Sequence, residues 1–226
     1  MFRFRLYGHR VPHLLLICLI VAMALPARAQ QAATVSFTLD FPGSEPDHYA
    51  ISISSDGHAT YDSTGKLRAD VQDADAFHLE FAVSQATTSR IFDLAKRAHF
   101  FQGNVDSGKK DLASTGTKVL TYKDGERSTQ ATYNYSSISA VQQLTQMLQN
   151  LSTTLEFGRR LEYYHRYQKL GLDEELKRME DMAKDNELLE VAAVASILQQ
   201  IASDPSVINA DRARAQRLLA RPQAGQ

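Results

Sequence analysis

One stretch of the chain comes close to a phosphate-binding loop. Residues 103–110 read GNVDSGKK, which matches the pattern G-x-x-x-x-G-K-[ST] except at Lys110, where the magnesium-binding hydroxyl residue belongs. A phosphate-binding loop follows a buried strand and opens a helix, whose first amides hold the phosphates. Here the flanking patterns predict a helix before the stretch and a strand after it. We therefore interpret the stretch as a helix-to-strand loop and expect no nucleotide.

The same loop contains a serine and a lysine at the spacing used by penicillin-recognising enzymes. Ser107-x-x-Lys110 matches the nucleophile and its lysine, but those enzymes also need S-D-N and K-T-G elements. Neither tripeptide occurs in the chain. The loop therefore gives little support to nucleophilic catalysis, and we predict no catalytic residue.

An acidic segment holds the best candidates for metal ligands. In ADVQDADAFHLE, the residues at 78 and 80 alternate with apolar ones, so they share one face of a strand. Carboxylates and an imidazole there could supply half of a zinc or calcium site. The plainer interpretation is a polar loop that leads into a strand with one face in solvent. No complete ligand set can be named, so no metal or other cofactor is predicted; the candidates are Asp70, Asp73, Asp75, His78 and Glu80.

Two segments near the C-terminus could bind a partner. Residues 161–170, LEYYHRYQKL, combine aromatic and basic groups, which is the chemistry of contact surfaces. The alternative is helix packing, with Tyr164 inside and its neighbours directed outward. The last helix carries arginines at helical spacing, which form a solvated face or a docking site for an acidic partner or anionic head groups. The candidate binding residues are Tyr163, Tyr167, Arg214, Arg217 and Arg221.

The N-terminus has the features of an export signal. A basic start precedes an apolar run of 12 residues, from Leu14 to Leu25, and PARAQ supplies a cleavage pattern that ends at Ala29. The run is short for a bilayer span, which needs ~20 apolar residues. We predict a signal peptide at residues 1–29 and a periplasmic or extracellular protein after cleavage near Ala29. An uncleaved anchor is the alternative.

Cleavage changes the charge and the cysteine content of the chain. The whole sequence has 25 basic and 26 acidic residues. The signal holds four arginines and no acidic residue, which leaves 21 basic against 26 acidic residues and a net charge of −5. A general nucleic-acid binder should instead show a basic surface. Cys18 is the one cysteine and leaves with the signal, so the mature chain has no disulfide or thiolate chemistry.

Residues 33–135 have the period of β-strands. Apolar residues alternate in the segments 34–41, 48–54 and 76–83, and two more strands are predicted within 116–135. Asp56-Gly57 and Asp124-Gly125 mark hairpins. A three-residue loop at the first hairpin pairs apolar with apolar residues, whereas a two-residue loop does not. We favour three-residue loops in both hairpins, with Ile53 opposite Ala59 and Ile51 opposite Tyr61 in the first, and Val119 opposite Thr129 and Thr117 opposite Ala131 in the second.

One helix interrupts the strands. Ser84 is a good N-cap, and Ile91, Leu94, Ala95 and Ala98 recur at helical spacing. Phe100 and Phe101 are expected to close the helix, with Gly103 leaving it in a left-handed conformation.

Helical periods dominate from Ser137 onward. A seam of Val141, Leu144, Leu148, Leu151 and Leu155 changes phase near Gly158. The absence of a flexible linker predicts one continuous helix through residue 156. Three shorter helices should follow, the first two capped by Asp173 and Asn186, and the last starting at Asp204-Pro205 or at Asn209.

The order of these elements resembles a bacterial family of exported domains of unknown function. The matching residues are YAISISSDGHATY, IFDLAKRAHFF and VLTYKDGERSTQATY, which together fall within residues 48–135. The resemblance implies an α+β fold and a place in the cell envelope, without an established activity.

The sequence thus predicts an exported α+β protein. We expect an antiparallel sheet of five to six strands with one inserted helix and a long packing helix, followed by a small helical region. The predicted parts are a signal peptide at 1–29, an α+β sheet domain at 30–155, a helical region at 156–221 and a disordered tail at 222–226. We expect a non-enzymatic binding or scaffolding module of the cell envelope whose partner is another envelope or secreted protein, with membrane contact only through the uncleaved signal. The alternative is a secreted metal-dependent or serine-type hydrolase.

Overall fold

A computed structural model describes Met1 and residues 32–67 and 75–221. The predicted signal peptide beyond Met1, two of the metal candidates (Asp70 and Asp73) and the predicted tail lie outside the described residues. Residues from Ala32 onward form one compact unit.

The described strands form one antiparallel sheet in the order β4-β3-β2-β1-β5-β6. Strands that follow one another in the sequence are neighbours in the sheet, except for β4 and β5. Strand β5 pairs with the edge of β1 that β2 leaves open. This arrangement confirms the predicted α+β class. The strands are β1 Thr34–Asp40, β2 His48–Ser54, β3 His58–Gly65, β4 Asp75–Ala82, β5 Thr117–Lys123 and β6 Ser128–Tyr133.

The helices follow the predicted order. One is inserted between β4 and β5, and the others follow the sheet. They are α1 Gln85–Arg97, α2 Ser139–Tyr167, α3 Leu172–Lys184, α4 Ala195–Ser203 and α5 Asn209–Leu219. Short 3-10 segments at His99–Phe101, Lys169–Gly171 and Val191–Val194 join or precede them.

The two faces of the sheet differ sharply because side chains alternate along each strand. One row of cross-strand partners reads Leu79, Tyr61, Ile51, Phe37, Leu120 and Ala131. The adjacent row reads Glu80, Thr60, Ser52, Ser36, Thr121 and Gln130. Helices α1 and α2 cover only the apolar face. The core therefore lies between the sheet and these two helices.

The first hairpin has the predicted register. Ile53 lies opposite Ala59 and Ile51 opposite Tyr61, so apolar side chains meet on the covered face. Gly57 has a φ of +89°, and a Cβ there would lie 2.9 Å from the Val83 carbonyl oxygen. Both the backbone conformation and the close approach require glycine at this position.

The predicted register of the second hairpin is wrong. Lys123 lies opposite Ser128, so Asp124 to Arg127 form a four-residue loop, and Val119 lies opposite Thr132 rather than Thr129. The Asp124 carboxylate accepts hydrogen bonds from the amides of Glu126 (2.9 Å) and Arg127 (2.6 Å), which stabilises the longer loop.

The longer loop also keeps apolar cross-strand partners on the covered face of the sheet. It places Leu120 opposite Ala131 on the covered face, where the expected register would have placed Ala131 opposite Thr117 on the open face. Burial of the apolar face therefore determined the register, and the turn chemistry followed it.

Helix α2 runs without a break through residue 156, as predicted. Its middle is buried on two sides, by the sheet and by the C-terminal helices. Gly158 marks the second contact, since a Cβ at this position would lie 2.4 Å from Val194 Cγ1. The change of phase near Gly158 thus reflects a helix that passes from one packing surface to another.

Of the two predictions for the ends of α1, the N-cap is confirmed and the C-terminal end is corrected. Ser84 Oγ accepts a hydrogen bond from the Thr87 amide at 3.3 Å, which confirms the N-cap. At the other end, His99, Phe100 and Phe101 have φ values of 50°, 53° and 63°. The chain therefore turns left-handed at these residues, and Gly103, although its φ is +81°, lies beyond the helix end.

Two predicted N-caps are wrong. Gly171 precedes α3, and Asp173 lies in its first turn. Asn186 ends α3 rather than starting α4: its φ is +58°, and the Glu187 amide donates to the Met182 carbonyl at 3.0 Å. This is a Schellman-type C-cap, for which asparagine is the usual alternative to glycine. The last helix starts at Asn209, one of the two predicted positions.

Candidate binding surface at the end of the long helix

An aromatic surface lies where α2 ends. We call Tyr163, Arg166, Tyr167 and Leu170 the tyrosine apex. After Tyr167 the chain turns through the 3-10 segment Lys169–Gly171 and reverses into α3. The apex thus lies at the junction between the long helix and the C-terminal helices.

The turn depends on a glycine that touches an aromatic ring. A Cβ on Gly171 would lie 2.5 Å from Tyr164 Cδ1, so only glycine allows the chain to pass this closely. Tyr164 packs against the hydrophobic core, as the sequence predicted for this side chain. Because Tyr164 is fixed inside, its neighbours on α2 face outward.

The outward side chains expose unusual apolar area. Leu170 is 93% exposed and Tyr167 62% exposed, the two largest values for large hydrophobic residues in the described ranges apart from the N-terminal Met1. The Tyr163 and Tyr167 rings lie with their centroids 5.3 Å apart, and Arg166 Cζ lies 5.2 Å from the Tyr167 centroid. The two tyrosines and the arginine thus form one contiguous surface, and the exposed Leu170 follows three residues later on the turn.

The base of the apex is held by a carboxylate from the loop between α4 and α5. Asp204 Oδ2 lies 2.6 Å from Lys169 Nζ and 2.9 Å from His165 Nε2. The hydrogen bond from Lys169, together with those from Ser206, holds the pKa of Asp204 well below its usual range. These contacts fix the exposed turn to the helices behind it, so the apex is presented on a rigid base.

The arginines of α5 lie elsewhere and are paired within the chain. Arg214 bonds to Asp173 and, at 3.0 Å, to Asp211. Arg217 donates from Nε to Glu180 Oε1 at 2.6 Å. The hydrogen bonds from these arginines lower the pKa values of Asp173 and Glu180. Arg214 and Arg217 therefore join α5 to α3.

Arg221 borders a cleft of about 570 Å³ between the last helices. The same cleft is lined by Leu188, Glu190 and Leu218. Glu190 is buried, and its carboxylate accepts hydrogen bonds from Ser84 Oγ (2.6 Å) and the Ser84 amide (3.2 Å). This contact attaches the C-terminal helices to the start of α1.

The described metal candidates lie along strand β4. His78 Nδ1 is 2.6 Å from Asp62 Oδ1 across the strand pair, and its Nε2 is 3.9 Å from Glu80 Oε1. The hydrogen bond with Asp62 raises the pKa of His78. Asp75 starts the strand, and its carbonyl accepts a hydrogen bond from Arg159. Within 32–67 and 75–221, no group of three histidine or acidic side chains is arranged to hold a metal ion.

The loop at 102–112 lies between the 3-10 segment after α1 and strand β5, as predicted. Asp106 holds it in place by accepting hydrogen bonds from the amides of Gly108 (2.7 Å) and Asn134 (2.8 Å). These bonds lower the pKa of Asp106. The Ser107 amide also donates to the Tyr135 carbonyl at 2.8 Å, so the loop is fixed to the end of β6.

The sequence analysis missed a buried carboxylate between the sheet and α2. Glu156 Oε1 accepts hydrogen bonds from Tyr61 Oη (2.9 Å) and Ser63 Oγ (2.7 Å). Its other oxygen lies 3.6 Å from Arg159 Nη1. Burial, and secondarily the charge of Glu156, raise the pKa of Tyr61. The available signal was the spacing of Ser152, Glu156 and Arg159, which places polar residues on a helix face that the leucine seam assigns to the core.

Comparison with known proteins adds no relative: neither a protein-family model nor a curated protein matches the chain. In the part of the chain that the structure describes, no helix is both long and apolar enough to cross a bilayer. The candidate function therefore rests on the geometry of this chain.

Proposed function

We propose that the protein is a non-enzymatic binding or scaffolding module of the bacterial cell envelope. Its partner is another envelope or secreted protein, and it binds through the tyrosine apex. The observation that carries this proposal is the exposure of Leu170 (93%) and Tyr167 (62%) on a turn that is fixed from behind.

The composition of the apex supports protein binding. Leucine and tyrosine supply apolar area, and tyrosine and arginine are among the residues that most often dominate the binding energy of interfaces. Because Asp204 holds the turn, little backbone entropy is lost when the projecting leucine enters a pocket. The apex therefore suits a partner with a concave apolar surface.

The charges around the apex predict the charge of the residues that surround the partner's pocket. Arg166 is exposed, and its guanidinium carbon lies 5.2 Å from the centroid of the Tyr167 ring. Lys169 adds a second cation, although Asp204 offsets its charge. We expect acidic residues around the partner's pocket, since opposite potentials favour the encounter.

The hydrolase alternative gains less support. The contact of His78 with Asp62 has the form of a base and its orienting carboxylate. Both side chains are more than half exposed on the open face of the sheet, whereas Ser63 beside Asp62 points into the core. No contact among the residues that the structure describes favours hydrolysis over binding.

A pair of matched variants tests the proposal. Leu170→Glu places a charge in the apex, and Leu112→Glu makes the same change at another exposed leucine, in the loop before β5. The exported protein is purified from its own envelope fraction after crosslinking, for wild type and both variants. We expect a defined partner with wild type and Leu112→Glu, and at least a tenfold loss with Leu170→Glu. Equal recovery with the two variants would contradict binding through the apex.

A further inference from the structure

A lysine is buried at the end of the sheet far from the tyrosine apex. Lys118 lies on β5 and is 4% exposed. Its Nζ donates to the carbonyl of Thr115 (2.9 Å), the hydroxyl of Thr115 (2.8 Å) and the carbonyls of Asn134 (3.0 Å) and Gly116 (3.3 Å). All four oxygens are neutral.

The charge of this ammonium is not balanced by the protein. Among the described residues, no carboxylate lies within ion-pair distance of Lys118, and burial lowers its pKa. Asp106, in the loop before β5, bonds to the amide of Asn134 rather than to the lysine. A buried cation without a counter-ion is costly, and an anion that binds beside it removes part of that cost.

Lys118 is part of the wall of a cleft of about 370 Å³. The cleft lies between the end of the β5–β6 pair and the first turns of α2. Its lining combines aromatic and aliphatic surface with hydroxyl and carboxamide groups: Thr115, Tyr133, Asn134, Tyr135, Ser136, Gln142, Thr145, Gln146 and Gln149 accompany the lysine. This volume lies within the range of small-molecule sites.

The helix side of the cleft presents three carboxamides at successive turns. Gln142 Nε2 donates to Tyr135 Oη (2.7 Å) and to the Ser136 carbonyl (2.8 Å), which fixes it. Gln146 Nε2 donates to Asn150, so its carbonyl oxygen stays open to a ligand. The Gln149 carboxamide makes no hydrogen bond to the described residues. Carboxamides can both donate to and accept from hydroxyl groups.

We propose that this cleft binds a small hydroxylated carboxylate, such as a sugar acid. The carboxylate lies toward Lys118, and the hydroxyl groups bond to Gln146 and Gln149. The site is independent of the apex, because 21 residues of helix separate Gln146 from Tyr167, or about 30 Å at 1.5 Å per residue. The protein would therefore bind a small ligand at this cleft in addition to the protein partner proposed for the apex.

The test is an NMR titration of the mature protein with galacturonate as the probe and galactose as its neutral counterpart. We expect saturable shifts of the amides around Lys118 with galacturonate, and at least a tenfold weaker response to galactose. Lys118→Met should weaken galacturonate binding about 10- to 100-fold, because it removes the buried positive charge that attracts the carboxylate.

A second pair of variants covers the case in which Lys118→Met does not fold. Gln146→Glu places a carboxylate in the cleft, whereas Gln143→Glu makes the same change on the same helix beside Arg90, outside the cleft. We expect Gln146→Glu to abolish galacturonate binding and Gln143→Glu to leave it within twofold of wild type. The proposal is overturned if wild type shows no saturable shifts, if galactose binds equally well, or if the two glutamate variants weaken binding equally.

Discussion

Replacement of the buried Glu156 by alanine should destabilise the protein more than any surface change. The substitution removes the oxygen that accepts from Tyr61 and Ser63, and both side chains are at most 3% exposed. Tyr61 keeps the Ser152 hydroxyl at 2.9 Å, whereas Ser63 loses its acceptor. It also leaves Arg159, 8% exposed, without its carboxylate. Removal of one partner of a buried ion pair costs about 3–5 kcal/mol of unfolding free energy.

Glu156→Gln is the matched control. The carboxamide oxygen still accepts from Tyr61 and Ser63, so only the negative charge is lost. Charge-assisted hydrogen bonds exceed neutral ones by about 1 kcal/mol each, and Arg159 loses its counter-charge here as well. We therefore expect a loss of at least about 2 kcal/mol, which remains smaller than that of Glu156→Ala because both acceptor bonds are kept. Arg159→Met added to Glu156→Leu should restore stability relative to Glu156→Ala, because the double change leaves no buried charge.

Urea unfolding followed by far-UV circular dichroism measures these differences, since the chain has no tryptophan for fluorescence. The expected order of stability is wild type, Glu156→Gln, then Glu156→Ala. The reasoning is refuted if Glu156→Ala lies within 1 kcal/mol of wild type, or if Glu156→Gln is as unstable as Glu156→Ala.

Three further predictions concern packing, pH and the surface. Gly158→Ala should cost about 1–3 kcal/mol through its clash with Val194, despite the better helix propensity of alanine, and Val194→Ala should relieve the cost in the double variant. Burial raises the pKa of Tyr133 to about 12, so its stabilising contribution is complete below pH 10 and is lost as pH rises from 10 through 12. That loss amounts to about 3 kcal/mol, and Tyr133→Phe should remove this part of the pH dependence of the urea midpoint. Arg217→Ala should change the unfolding free energy by less than about 1 kcal/mol, because the arginine that pairs with Glu180 is 56% exposed; a larger change in the urea midpoint would contradict this.

Local patterns predicted most of the fold. Alternation along the strands identified the covered face, and the first hairpin could be aligned because only one register places Ile51 beside Tyr61. The continuous α2 followed from the absence of a linker. In each case the local preference and the tertiary packing agree, so the sequence pattern was sufficient.

The errors occur where a side chain had two possible roles. Asn186 suits both the start and the end of a helix, and in the structure its left-handed backbone ends α3. Asp124-Gly125 fits a short or a longer turn, and burial of Leu120 and Ala131 selected the longer one. Such choices depend on contacts between distant residues, which a single sequence does not reveal.

The binding candidates were predicted only in part. The aromatic run that contains Tyr163 and Tyr167 was visible in the sequence, but the exposure of Leu170 depends on the turn at Gly171. Arg214 and Arg217 looked available because their partners lie on α3, a separate segment of the chain. The role of Lys118 was hidden because its four oxygen acceptors come from Thr115, Gly116 and Asn134, and most of them are backbone atoms.

The most direct test of the proposed function places a photo-crosslinking residue at position 170 of the protein expressed in its own cells, with position 112 as the control. Binding through the tyrosine apex predicts a single crosslinked partner from position 170, none from position 112, and loss of the product when Tyr167→Ala and Arg166→Ala are combined. Crosslinks of the same pattern from both positions, or an unchanged product with the double variant, would contradict the assignment of the apex as the binding surface.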